Sequence, residues 1–414
     1  MKLNKYSIGI GDRFGQQGSA QLSAVMKAMD EGVEITPVWN KSYREHQIIG
    51  THPDDTRREA DAAVKACGWN RSYFVDADHV GLGNVDFFLD HSDFFTIDVA
   101  DFITRSAGRS RIESFVQKHR KYRGRFEIPG MRDPLTITEK QIQNAANKFL
   151  CAVEEANRIY RHIFKNKKNR DLIVEVSMDE TDAPQTPVEL FFILAAVAQE
   201  GIPVQTIAPK FTGRFNKGVD YVGNTDRFIR EFEQDLAVIA FAVQEFALSP
   251  ILKLSVHSGS DKFAIYEPIR RALKKYDAGL HLKTAGTTWL EELTGLAEAG
   301  GEGLKIAKDI YRGAFFRRDE LCKPYASVID IDADQLPLPD RVEAWDTEAF
   351  GSALRHDASN KEYNRHFRQL LHVGYRVAAE LGDRYLNALR EYEGVIARNV
   401  RKNLYERHIQ KLFM

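Results

Sequence analysis

Four short stretches of the chain concentrate the side chains that do chemistry. DADH at 76–79 sets two carboxylates beside an imidazole, and LIVEVSMD at 172–179 places Glu175, Ser177 and Asp179 on alternate positions. LKLSVHSGSDKF at 252–263 carries Lys253, Ser255 and His257 on one side of an alternating run, then turns through Ser258-Gly259-Ser260-Asp261. HLKTA at 281–285 repeats the pattern with His281, Lys283 and Ala285. Carboxylates of this kind serve as general acids and bases. Imidazoles beside carboxylates are the donors that bind divalent transition metals. A lysine either pairs an anionic group or, held neutral, attacks a ketone as a Schiff-base nucleophile.

Such residues act together only if the fold gathers distant stretches. Strand-like runs fall at 6–11, 34–39, 72–78, 94–99, 172–178, 202–208, 252–257 and 280–285, with amphipathic segments between them. Thr186-Pro187 opens one of these helices and Gly201 closes it. Strands that are each followed by a crossover helix predict an α/β fold, a (β/α)8 TIM barrel, over residues 1–320. An open doubly wound sheet is the alternative, but no GxGxxG or P-loop spacing follows the first run. GIGDRFG at 9–15 reads as a tight turn. Residues 104–169 read as a charged helical insertion after strand four, and 321–414 as a helical C-terminal extension packed on the barrel. The basic run QKHRKYRGRF at 117–126 is either a solvated face or a rim that attracts an anionic substrate.

Barrel strands alternate between side chains in the lumen and side chains under the helices. The polar set then points inward: Asp76 and Asp78, with His79 just past the strand; Thr96 and Asp98; Glu175, Ser177 and Asp179. Strand six offers Gln205 or Lys210, and the last two strands offer Lys253, Ser255, His257, His281, Lys283 and Ala285. Buried charges must be paired or bind a metal. For Asp98 the expectation is an ion pair with a lysine low in the barrel. His79 and His257 sit at strand exits, the face on which barrel active sites are built. Beside Asp78 and Asp179 they read either as a divalent metal site or as structural histidines. His281 is equally a third ligand or a core histidine. Lys283, among so many carboxylates, suits an ion pair better than a Schiff base.

A chain of 414 residues is long enough for a substantial core. A formal net charge of -1 gives no electrostatic case for nucleic acid or an anionic membrane. No apolar run approaches the roughly 18 residues of a spanning helix. The cysteines, Cys67, Cys151 and Cys322, are odd in number and far apart, which argues against a disulfide framework and predicts a soluble cytoplasmic protein.

DADH (76–79), MDETDAPQTPVELFFI (178–193), VHSGSDKF (256–263) and HLKTAGTTWLEEL (281–293) together resemble the tagaturonate epimerase family, bacterial enzymes of hexuronate breakdown. The resemblance runs from SIGIGDRFGQQG to KTAGTTWLEEL and does not extend obviously into the C-terminal extension. It implies interconversion of D-tagaturonate and D-fructuronate, a small sugar-acid substrate, and a divalent metal such as Zn, Mn, Ni, Co or Fe. Related members are similar to enzymes that epimerise neutral ketohexoses. Within that frame the physical reading assigns the metal to His79, His257 and His281, and acid/base work to Asp78 and Glu175. Lys210, Lys253, Lys283, Ser258, Ser260 and Asp179 are assigned to the substrate, with Arg13 and Gln17 as outlying candidates for its carboxylate. Asp179 or Glu180 can stand in for His281 or Glu175. The Ser258–Ser260 turn is either an anion-binding nest or simply a turn. The competing functions are a Schiff-base aldolase or lyase working through Lys283, and a barrel that binds sugar without turnover.

Overall fold

The computed structural model describes residues 1–284 and 287–414. Eight parallel strands close into a barrel: β1 (Tyr6–Ile10), β2 (Ile35–Ser42), β3 (Phe74–Val80), β4 (Phe94–Asp98), β5 (Ile173–Ser177), β6 (Val204–Ala208), β7 (Lys253–Val256) and β8 (Leu280–Thr284). β1 pairs with both β2 and β8, so no edge is left open. The chain therefore adopts the TIM-barrel fold. Ala285, assigned to the lumen from sequence, lies outside the described residues.

The crossovers carry local signals that explain their ends. Thr186 caps helix Pro187–Glu200 by accepting from the Glu189 N–H, and Glu189 reciprocates; Gly201 ends it at φ 70°. Two connections depart from a simple barrel. Between β3 and β4 the connection forms only a short 3-10 turn, Val85–Phe87, in place of a crossover helix. The segment after β4 is not wholly an insertion. It adds helix Arg109–His119 and the hairpin Gly124–Phe126/Leu135–Ile137, but its long helix, Glu139–Asn166, is itself the crossover to β5. That helix buries Ile142, Phe149, Val153 and Ile159 in the barrel's outer core, which is why its apolar stripe runs for 28 residues.

The lumen is sorted by polarity. Leu3, Val38, Phe74, Phe94 and Ile173 form a separate apolar plug at its N-terminal end. Burying such side chains stabilises by about 1.5–3 kcal/mol each. Two residues further along β3, β4 and β5 the same inward face presents Asp76, Thr96 and Glu175. The C-terminal helices build a second core from Trp289 to Val400, joined by Phe14 and Ala20. It thus reaches back across the expected boundary at residue 320, while Leu404–Phe413 returns to the barrel's own core. Arg368, fully buried, clasps the two units together: it donates to Asp261 at 2.5 Å and to the carbonyls of Gly218 and Leu354.

Candidate active site

Lys283 organises the upper lumen. Its Nζ lies 2.8 Å from Asp76, 2.9 Å from Asp78 and 3.2 Å from Glu175, and it donates to Thr96 Oγ1 at 2.5 Å. Gly9, beside it on β1, is closely approached: a Cβ there would lie 3.2 Å from the Lys283 Cα, so the lysine would have to shift by a few tenths of an ångström. Burial disfavours the ammonium, but the three carboxylates outweigh it and hold Lys283 well above its ordinary value. Burial likewise opposes the charge on Asp78, yet Lys283 and the two nearby histidines bring it down to about 2. Glu175 is held well below the carboxylate range by Lys283 and His257, again against burial. For Asp76, burial wins and pushes it up to about 7. An amine paired with three carboxylates is a poor nucleophile, which favours the ion-pair reading of Lys283 over the Schiff base.

Above this layer the strand exits bring His79, Asp179 and His257 together, with one donor atom from each within 4.8 Å of the others. His79 does not lie past the end of β3. One extra residue between Ala77 and Val80 bulges the strand, and His79 takes φ 54°. The bulge explains how Asp78 and His79, adjacent in sequence, both face the site. The expected Asp98–lysine pair does not form: Asp98 accepts from His79 Nδ1 at 3.1 Å and caps the Ala100 N–H. Glu175 meets His257 Nε2 at 2.7 Å, and Ser177 donates to Asp179 at 2.5 Å. Each imidazole thus has one nitrogen fixed by a carboxylate and the other turned to the common space. His257 Nδ1 is buried without a hydrogen-bond partner, 3.2 Å from Asp179. Fixing of a ligand's far nitrogen by a carboxylate is the usual support for a metal-binding histidine. Two nitrogens and a carboxylate oxygen also suit the metals implied by the sequence. Although burial opposes it, Asp78 and Asp98 hold His79 up to about 10, and Asp179 and Glu175 hold His257 up to about 9. A cation entering here must displace those protons.

Other sequence assignments fall elsewhere. His281 does not join this group: its Nδ1 pairs with Ser7 Oγ at 2.9 Å, its ring packs on Phe94, and burial lowers it to about 3. Lys253 is at the opposite end of the barrel, donating to the carbonyls of Asn4 and Lys5, where burial lowers it to about 7. Gln205 is the extra residue at a register shift between β5 and β6, and it bonds to the Leu3 N–H and the Met1 carbonyl at the N-terminal end of the barrel, away from the strand exits. Glu180 is exposed. Arg13 is engaged by Glu45 at 3.0 Å, the His372 carbonyl and the Tyr375 ring, and is not free for a substrate.

Lys210 reaches the Asp179 carbonyl at 3.3 Å. Ser258, at φ 49°, accepts from Lys217 at 3.0 Å, and the Ser260 hydroxyl is buried without a partner. Sequence reasoning missed Lys217, and nothing in FNKGVD marks it. It also missed Asn40, although its place two residues beyond Val38 puts it on the lumen face.

The comparisons agree with this fold. A Thermotoga maritima protein named tagaturonate/fructuronate epimerase is 28% identical over 423 residues, covering 98% of this chain and 80% of its own. The glycerol-complexed crystal structure of a fructuronate–tagaturonate epimerase from Cohnella laeviribosi superposes with a TM-score of 0.81 at 22% identity, covering 100% of this chain and 82% of that one. The native crystal structure of the same enzyme gives 0.78 at 22%, with the same coverage. The sequence profile described as tagaturonate epimerase matches residues 1–412. That match spans the barrel and the C-terminal helices alike, and the chain belongs to the tagaturonate epimerase family, whose members are isomerases.

Proposed function

We propose that the protein interconverts D-tagaturonate and D-fructuronate in a metal-dependent reaction, by cleaving and remaking a carbon–carbon bond. The whole-chain family match carries the substrate assignment. The two sugars differ at carbon 3, counted from the carboxylate, and the ketone is at carbon 5. A hydrogen on carbon 3 is β to the carbonyl and not acidic, so enolisation cannot invert this centre. Retro-aldol cleavage can. A base takes the proton of the carbon-3 hydroxyl, the bond between carbons 3 and 4 breaks, and its electrons pass toward the ketone. The aldehyde so formed at carbon 3 turns its other face, the bond reforms, and the proton returns to oxygen.

The residues suit these tasks. Asp78 and Glu175 are held ionised by Lys283 and are the candidates to take up and return the hydroxyl proton. His79, Asp179 and His257 would hold the divalent cation, with Asp98, Glu175 and Ser177 fixing their orientation. When bound, such a cation supplies Lewis-acid polarisation of the ketone oxygen. Lys210, Lys217, Ser258 and Ser260 lie on the β6 and β7 side, where the substrate carboxylate would find positive charge and hydroxyls. Lys253, at the barrel floor, has no part in this.

NMR of D-tagaturonate with the chelated and then metal-restored protein in D2O tests the proposal. We expect D-fructuronate to form only after restoration, with no deuterium at carbon 3. Deuterium at that carbon rules out the bond-cleavage route, and full turnover after exhaustive chelation rules out the metal.

A further inference from the structure

Asn40 is a buried lumen side chain that the catalytic layer leaves unexplained. Its neighbour two residues back, Val38, belongs to the apolar plug, so Asn40 faces the same lumen one step higher. In register it lies level with Asp76 of β3. Gly9 of β1 admits it: a Cβ at Gly9 would come within 3.1 Å of Asn40 Oδ1 and 3.2 Å of the Lys283 Cγ. The amide is 2% exposed, and neither Oδ1 nor Nδ2 has a hydrogen-bond partner. The groups beside it, Asp76, Thr96, Glu175 and Lys283, each bond to at least one other of the set, whereas the amide bonds to none of them. Leaving both ends of a buried amide unsatisfied is costly and calls for a reason.

We infer that Asn40 binds a hydroxyl of the sugar acid, donating from Nδ2 and accepting at Oδ1, and so sets which way the substrate lies across the barrel. This rests on the epimerase reading. The amide is neutral, can both donate and accept, and lies level with Asp76 and close to the Lys283 side chain, so it suits an uncharged hydroxyl. In the order of the closed sheet, β2 stands opposite β6, where Lys210 follows the strand exit. The lumen is thus polarised: a cationic side for the substrate carboxylate and, across from it, an amide for the hydroxylated tail.

Asn40→Leu, Asn40→Ala and Asn40→Ser separate this role from a structural one. Because the amide makes no bond within the protein, removing its polar atoms should not in itself lower the melting temperature, and any loss in the leucine or alanine variant should be no more than the volume change accounts for. Their KM for D-tagaturonate should rise about tenfold or more, about 1.4 kcal/mol per factor of ten, with kcat changed less and the serine variant intermediate. An unchanged KM overturns the inference, as does a lowered melting temperature with KM intact. If the wild type converts neither sugar, the epimerase reading falls, and Asn40 is judged by binding. A D-tagaturonate-induced rise in melting temperature that shrinks in Asn40→Leu supports it, whereas no shift in the wild type, or an equal shift in both, overturns it.

Discussion

At the residue scale, the choice between Asp179 and His281 turns on what fixes each side chain. Asp179 is steered by Ser177 and stands 3.2 Å from His257 Nδ1. His281 spends its Nδ1 on Ser7 and stacks on Phe94 below. Metal titration by calorimetry should therefore find binding lost in Asp179→Ala and His257→Ala. It should be weakened about 10–100-fold in Asp98→Asn, which frees only the orienting bond to His79. His281→Asn should keep wild-type affinity. Loss of the metal in His281→Asn, at a level matching His257→Ala, would return the third ligand to the position first read from sequence. The charged residues themselves were legible in the alternation of each strand. Their partners were not, because partnership depends on one inserted residue at the β3 bulge and on how far each strand is staggered. Asp98 shows this: its inward direction could be read, but its bond to His79 required the bulge.

At the scale of elements, all eight strands were legible because each is a short apolar or alternating run bounded by turn residues. The helix Glu139–Asn166 was legible as a helix but not as a crossover, since periodicity shows an apolar stripe and not the surface it covers. The Ser258–Asp261 turn is the element with the most exacting geometry. Ser258 and Asp261 both have positive φ, and a Cβ on Gly259 would lie 2.3 Å from Leu282 Cδ1 and 3.3 Å from the Val256 carbonyl. Leu282 precedes Lys283 on β8, so pressure there is passed to the lysine that organises the carboxylates. Gly259→Ala should cost roughly 1–3 kcal/mol of stability, as overpacking does in a close-packed interior, and should lower kcat. Thermal denaturation and steady-state rates read both. A variant with unchanged melting temperature would mean that the turn has slack and that its glycine is not required by packing.

At the scale of the whole molecule, the barrel and the C-terminal helices meet across a buried polar seam. Arg368 bonds to Asp261 from one side, and Glu291, near the start of helix Thr287–Ala299, accepts from Asn403 at 3.1 Å. Burial pushes Glu291 up to about 7; the nearby Asp261 adds to this, while Arg368, Arg407 and Arg355 oppose it. Its unfolded value is near 4.5. Between those two values the unfolded chain has released the proton and the folded protein still holds it, so the contribution of Glu291 to stability falls as pH rises through this window. The full difference amounts to roughly 3 kcal/mol, at 1.36 kcal/mol per unit. Glu291→Gln keeps the shape and a neutral group but removes the titration. Urea unfolding should show the variant and the wild type close together at pH 4.5. By pH 7.5 the variant should be the more stable, by up to that amount. Glu59 and Glu292, also raised by burial, keep their own slope in both proteins and so cancel in the comparison. Parallel stability curves for the two proteins would show that Glu291 is already ionised in the fold. The arginines of the seam would then be its counter-charges, and the joint between barrel and helices would be ionic, not protonated, at neutral pH.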